Sequence, residues 1–158
     1  MAGPVALGGE IAFVVGIGRQ LVRHPLGHLD PAGGELTVSL VAETDGLVGH
    51  VAFSPVLIAD GSAGWYGLAP VAVLPEWQRR GVGAALIRRG LAILGARGAA
   101  GCVVLGDPAY YGRFGYNHAR AEKFESEYQG EALQALAWGD APEKGKLVYA
   151  QAFTALAA

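Results

Sequence analysis

"WYGLAPVAVLPEWQRRGVGAALIRRGLAILGARG", residues 65–98, is the stretch that decides the fold. Its first nine residues are almost wholly apolar and strand-like. From about Val82 the period changes. Ile87, Leu91 and Leu94 recur at helical spacing with Leu86 and Ile93 beside them, which predicts an amphipathic helix to Ala96. Arg97 suits the negative end of that helix, and Gly98 can supply a left-handed cap.

Between strand and helix stand Gln78, Arg79, Arg80, Gly81, Val82, Gly83 and Ala84. A chain that passes through a glycine turn into a helix start gathers N–H groups that no helical carbonyl accepts, and the aligned peptide dipoles favour an anion there. Gly81 and Gly83 remove Cβ atoms from the approach and permit left-handed angles. Arg79 and Arg80 add charge-assisted donors suited to phosphate. The spacing Gln78-x-x-Gly81-x-Gly83 therefore suits a diphosphate; taken alone, it fits a solvated basic turn equally well. It is not a P-loop, because the Lys-Ser/Thr pair is missing, and it lacks the third glycine and the βαβ setting of the dinucleotide fingerprint.

Working outward, "ELTVSLVAE" (35–43) alternates Leu36, Val38, Leu40 and Ala42 against Thr37, Ser39 and Glu43, the period of a half-buried strand. "TDG" (44–46) is a turn, "LVGHVAFSPV" (47–56) its antiparallel partner, and "ADGSAG" (59–64) a second turn before the strand at 65–73. After the helix, "GCVVLG" (101–106) is a continuous apolar run, as expected of a strand buried on both faces. Asp107 and Pro108 make an N-cap and first helical position for "PAYYGRF". Weaker β signals follow, then a last strand at "KLVYAQAF" (146–153). Residues 1–33 are the least legible: "IAFVVGIGRQLV" carries both strand and helix patterns, and "HPLGHLDPAGG" reads as loop. The order predicts a mixed α+β domain with a mostly antiparallel sheet, because helices and strands do not alternate in the first half as a doubly wound fold requires.

A length of 158 residues suits one domain, and 52% apolar against 16% charged residues argues against disorder. The formal net charge of −2 gives no reason to expect a nucleic-acid or membrane partner. The N-terminal apolar stretch has no basic flank and falls short of the roughly 20 residues of a membrane span. Cys102 is the single cysteine, which excludes an intrachain disulfide and is compatible with a reducing compartment. The expected setting is soluble and cytoplasmic.

"LGDPAYYGRFGY" (105–116), directly after the buried strand, makes the likeness specific. With the loop at 78–84, it resembles the GNAT superfamily of acyl-CoA-dependent N-acetyltransferases. One motif is Gln78-Arg79-Arg80-Gly81-Val82-Gly83-Ala84, and the other is Tyr111-Gly112-Arg113-Phe114-Gly115-Tyr116. The resemblance covers residues from about 35 to 116. It implies a sheet splayed between the family's fourth and fifth strands. It also implies that Arg80 to Ala84, with Arg79 beside them, hold the pyrophosphate of acetyl-CoA. Backbone groups around Val71 and Val73 would pair with the pantetheine arm, and Tyr111 would protonate the departing thiolate. A thiol near ~8.5 and a tyrosine near ~10 make that transfer chemically reasonable. Tyr110 is the better candidate for simple packing. The implied acceptor is a small-molecule or peptide amine, and a homodimer through the last strand is the family's suggestion.

Two departures stand out. "WYGLAPVAV" contains no ionisable residue except Tyr66, so the general base is ordered water, Glu43 or His50. Residues 1–33 lack a clear version of the strand and two helices with which the family begins, which leaves the acceptor unread. A module that binds acyl-CoA without turnover is the competing expectation, and an unrelated nucleotide-phosphate binder a weaker one. No metal site is expected, since Pro25 breaks the spacing of His24 and His28 and Asp30 stands alone. Cys102 is expected in the core, and Trp65, Trp77 and Trp138 in packing roles.

Overall fold

The structure is a computed structural model that describes residues 12–17, 20–22, 38–58, 64–139, 141–142 and 144–149. Nine strands and two α-helices lie among them. The strands are β1 (Ala12–Ile17), β2 (Gln20–Val22), β3 (Val38–Glu43), β4 (Leu47–Ile58), β5 (Trp65–Val73), β6 (Gly101–Leu105), β7 (Phe124–Glu125), β8 (Leu133–Ala137) and β9 (Gly145–Tyr149). The helices are α1 (Val82–Ala96) and α2 (Pro108–Tyr111). Neighbouring strands follow the order β2-β1-β3-β4-β5-β6-β8, with β9 beside β4 and β7 beside β9. The chain groups into two compact units, one ending at Phe53 and resuming over Pro70–Ile93, the other holding Ser54–Ala69 and the residues from Leu94 onward.

In the first unit, β1, β2, β3 and the start of β4 form an antiparallel run. The expected alternation on β3 is present: Val38, Leu40 and Ala42 are buried, while Ser39, Val41 and Glu43 are half-buried. The turn at Thr44–Gly46 is closed by the Thr44 N–H donating to the Gly46 carbonyl at 3.0 Å. A one-residue irregularity at Ala42/Glu43 places Glu43 opposite Leu47. The ambiguous segment "IAFVVGIGRQLV" contributes the hairpin strands β1 and β2. His24, His28 and Asp30 lie outside the described residues.

Helix α1 has the predicted bounds and turns Val82, Leu86, Ile87, Leu91 and Ile93 inward. Gly90 marks how closely it approaches β4. A Cβ placed there would stand 2.0 Å from Cε2 of Phe53, itself fully buried. Only a glycine lets the helix lie against that ring.

The second unit contains the parallel step, where Trp65–Leu68 of β5 pairs with Gly101–Val104 of β6. β6 pairs antiparallel with β8 on its other side, and Gly101, Cys102, Val103 and Val104 are all buried, as expected of a two-sided strand. The core beneath holds Val56, Ile58, Trp65, Val103, Phe124, Leu133 and Leu147. Trp65 meets Phe124 edge-on with centroids 5.2 Å apart. Gly101 leaves room for Trp65, whose Cη2 would lie 2.5 Å from any Cβ. Gly98 has φ +78°, the left-handed angle expected of the residue that ends α1. The last strand begins at Gly145, and residues 150–153 of its expected span lie outside the described residues.

In an ordinary helix interior Gly→Ala is stabilising. Gly90→Ala is expected to reverse that sign, lowering stability by about 1–3 kcal/mol through overpacking against Phe53. Urea unfolding followed by circular dichroism measures it.

Candidate active site

The loop between β5 and α1 is built by short-range bonds. A 3-10 turn at Pro75–Trp77 has its Trp77 N–H on the Leu74 carbonyl at 2.8 Å, while the Leu74 N–H donates to the Val48 carbonyl of β4 at 2.9 Å. Nε2 of Gln78 reaches back to the Val73 carbonyl at 3.0 Å. The first residue of the motif therefore closes the loop onto the strand end. The Arg80 guanidinium stacks on Trp77, 5.4 Å from its ring centroid, a contact that orients the arginine.

Two backbone angles shape the loop. Arg79 has φ +63°, the one described non-glycine in the left-handed region, and Gly81 has φ +82°. A left-handed arginine is costly by roughly 1–2 kcal/mol, and such strain concentrates at functional loops. Gly83 sits inside the first turn of α1 and is not among the left-handed glycines. Of the two reasons given for glycine there, only the missing side chain applies.

The first α1 bond runs from the Ala85 N–H to the Gly81 carbonyl at 2.9 Å. The N–H groups of Val82, Gly83 and Ala84 therefore precede the helix's own ladder. Gln78, Arg79, Arg80 and Gly81 are exposed around them. Backbone donors, the positive end of a fifteen-residue helix and two exposed guanidinium groups occupy one loop. That is the equipment of an anion site.

β5 supplies a second feature. Its parallel ladder with β6 covers Trp65–Leu68, and the strand runs on through Ala69–Val73 beyond it. Val71 and Val73 are half-buried and Ala72 exposed on that extension.

The tyrosine cluster lies at the start of α2. Asp107 caps the helix, its Oδ1 accepting from the Ala109 N–H at 2.9 Å, as its place before Pro108 predicts. Tyr110 and Tyr111 pack edge-on at 5.0 Å, and Arg113 stacks on Tyr110 at 4.6 Å. Tyr111 is packed as well: its ring lies against Gly106 and meets Tyr116 at 6.0 Å. Tyr110, the better candidate for packing, is packed as expected, and Tyr111 packs beside it. Burial, then the neighbouring Tyr110, raise the Tyr111 pKa above its usual 10.0.

Cys102 is fully buried, and burial pushes its thiol up to about 12, against the lowering effect of the hydrogen bond it accepts from the Tyr116 hydroxyl at 3.1 Å. It is a core thiol with almost no thiolate at neutral pH. His50 shares a 2.9 Å hydrogen bond between its Nε2 and Ser39 Oγ, across β3 and β4. The tryptophans pack: Trp65 is core, Trp77 carries Arg80, and Trp138 lies against Gly95. Among the described residues no group of three or more metal-ligating side chains occurs, and no helix is long and apolar enough to cross a membrane.

Strand order, the short parallel ladder and the strand–loop–helix unit define the acetyltransferase class of α+β folds. The chain belongs to the GNAT family: the family model described as an acetyltransferase (GNAT) domain matches residues 35–118. The uncharacterized N-acetyltransferase YhbS of Escherichia coli (strain K12) is 39% identical over 99 residues, 61% of this chain and 59% of its own length. The chain thus spans under two thirds of that relative. The crystal structure of a GNAT family acetyltransferase from Brucella melitensis in complex with acetyl-CoA is 49% identical with a TM-score of 0.60, covering 73% of this chain and 68% of that one. The structure of YhbS from Escherichia coli in complex with CoA is 34% identical with a TM-score of 0.68, covering 77% and 71%.

The buried thiol sets an alkaline limit on stability. A folded-state pKa raised from 9.0 to about 12 means the native state keeps a proton that the unfolded chain releases. Stability should be full below pH 9 and decline as pH rises toward about 12. Tyr116, also raised by burial, extends the decline. Melting temperatures across that window measure it, and Cys102→Ala should flatten the slope.

Proposed function

We propose that this protein transfers an acetyl group from acetyl-CoA to a primary amine by direct attack within a ternary complex. The observation that carries the proposal is the loop at 78–84, where the N–H groups of Val82, Gly83 and Ala84 stand ahead of the α1 ladder beside Arg79 and Arg80. In this reading they bind the pyrophosphate of acetyl-CoA. The pantetheine arm pairs with backbone groups around Val71 and Val73, on the part of β5 that runs past its ladder with β6.

The amine nitrogen attacks the thioester carbonyl, the tetrahedral adduct collapses with loss of the C–S bond, and the thiolate takes the proton of the Tyr111 hydroxyl. The nitrogen gives its proton to water, Glu43 or His50. Tyr111 suits the acid role because a tyrosine hydroxyl carries its proton across the neutral range, and burial moves its pKa further up. The buried Cys102 argues against a covalent acetyl-cysteine route, since the thiol holds its proton. We place the protein in the cytoplasm, a reducing setting with which its single cysteine is compatible. Small-molecule amines and peptide amines both remain within this class of acceptor. Two copies pairing through β9 is the assembly we favour, supported by the exposed cross-strand pair Leu57 and Val148. Binding of acyl-CoA without turnover is the second reading, and the lack of a carboxylate on β5 favours it.

Calorimetric titration with acetyl-CoA, with ATP as control, comes first. Acetyl-CoA should bind in the micromolar range, roughly −8 kcal/mol, with ATP much weaker. A folded protein that ignores acetyl-CoA would refute both readings. Gly83→Val should weaken acetyl-CoA binding at least about 10-fold, or 1.4 kcal/mol, with the fold retained. Unchanged affinity would remove the loop from the site.

Thiol release with a panel of amines then separates turnover from binding. Tyr111→Phe should lower kcat by about 100-fold or more, within the range of acid catalysis, with acetyl-CoA affinity little changed. Because Tyr111 must carry its proton and its pKa is raised above 10.0, the alkaline fall of the wild-type rate that Tyr111 governs should lie above that pH. The Tyr111→Phe variant should lack this alkaline limb.

A further inference from the structure

Gln134 is a buried polar side chain that the chemistry above leaves unused. It stands on β8 opposite Val104 of β6 and is 1% exposed. Its Nε2 donates to the Gly106 carbonyl at 3.1 Å and, more weakly, to the Ala132 carbonyl at 3.4 Å. Facing two carbonyls, that end of the amide must be the NH₂. The other end, Oε1, is buried without a partner. A hydrocarbon of the same length would fill the place without that penalty, so the contribution of the amide lies in its Nε2 bonds.

Gly106 joins β6 to the Asp107 cap of α2. Its N–H donates to the Ala132 carbonyl at 3.1 Å, so Gln134 and Ala132 together bind both of its polar groups. The Tyr111 ring lies directly on it: a Cβ at Gly106 would be 2.4 Å from Cε2 of that ring. Tyr111 also meets the ring of Tyr116, which is tied by its hydroxyl to Cys102. Cys102, Val104 and Gln134 share one face of the β6–β8 pair, by the alternation along each strand and their register. Two anchored points therefore hold the Tyr111 ring, and Gln134 secures one of them.

We infer that Gln134 is a positioning residue for the Tyr111 hydroxyl, acting through the Gly106 carbonyl; this rests on the proposed role of Tyr111 as proton donor. Loss of the Nε2 bond frees the Gly106 corner, lets the ring shift, and lengthens the path of the proton to the thiolate.

Gln134→Met keeps the length of the side chain and removes the donor. It should lower kcat by about 10-fold, the scale of a sub-ångström misplacement, with KM for acetyl-CoA unchanged. In a Tyr111→Phe background the same change should alter kcat by less than about 2-fold, because the group it positions is gone. Equal losses in both backgrounds, or a wild-type rate in the folded single variant, would overturn the inference. Gln134→Glu can donate to Gly106 only when protonated, so its turnover relative to wild type should rise as pH falls; a flat ratio counts against the inference.

Fluorine NMR of fluorotyrosine-labelled protein tests the grip independently of activity. The Tyr111 resonance, identified by its loss in Tyr111→Phe, should move or broaden in Gln134→Met. An unmoved resonance refutes the positioning role. A moved resonance combined with wild-type turnover of Tyr111→Phe refutes the acid role instead, while the hold of Gln134 on the ring stands.

Discussion

Three backbone N–H groups ahead of the α1 ladder, those of Val82, Gly83 and Ala84, are the constraint around which the loop is organised. A helix start exposes donors whatever its sequence. Here the left-handed angles of Arg79 and Gly81 turn the chain into that start, and Gln78 closes the turn onto the Val73 carbonyl. Arg80 is held against Trp77 rather than left to range through solvent. An anion at this point meets donors already oriented, so little ordering cost falls on binding.

The rest of the first unit serves the placement of that helix. Gly90 admits the Phe53 ring, and the buried stripe from Val82 to Ile93 fixes the rotation of α1 about its axis. The N-terminal amides inherit that orientation, because a helix is rigid over its length. Packing at one point of α1 thus sets the geometry of donors two turns away.

In the second unit the governing feature is a strand with no free side. β6 is paired with β5 and β8 and is buried along Gly101–Val104. A polar group that enters such a core is costly unless it is paired. Tyr116 finds Cys102, and the Gln134 amide finds Gly106. Both bonds lie close to Tyr111, so the tyrosine ring is backed by a core network and not by the surface of a four-residue helix.

The local elements were legible because their signals are local. Alternation of apolar residues marked β3, the 3.6-residue period marked α1, the continuous apolar run marked β6, and the Asp107-Pro108 pair marked the start of α2. The GNAT motifs were equally plain in the residues at 78–84 and 111–116. Harder cases were those where tertiary pairing overrides propensity. "LQALA" of β8 consists of good helix formers, and it is a strand because β6 offers it an unpaired edge. "IAFVVGIGRQLV" became a hairpin through its register with β3, which no short window can report. The contacts of Gln134 and of the Tyr111 ring were invisible for the same reason: Gly106 and Gln134 are 28 residues apart. By itself the sequence determined the strongly patterned elements β3, α1, β6 and the start of α2, the family, and the basic, glycine-rich character of the loop at 78–84, all of which follow from residue types at fixed short spacing. The contacts that hold Tyr111 and the close approach of α1 to Phe53 were decided by the tertiary structure alone, because a strand pairing or a glycine contact depends on residues that only folding brings together.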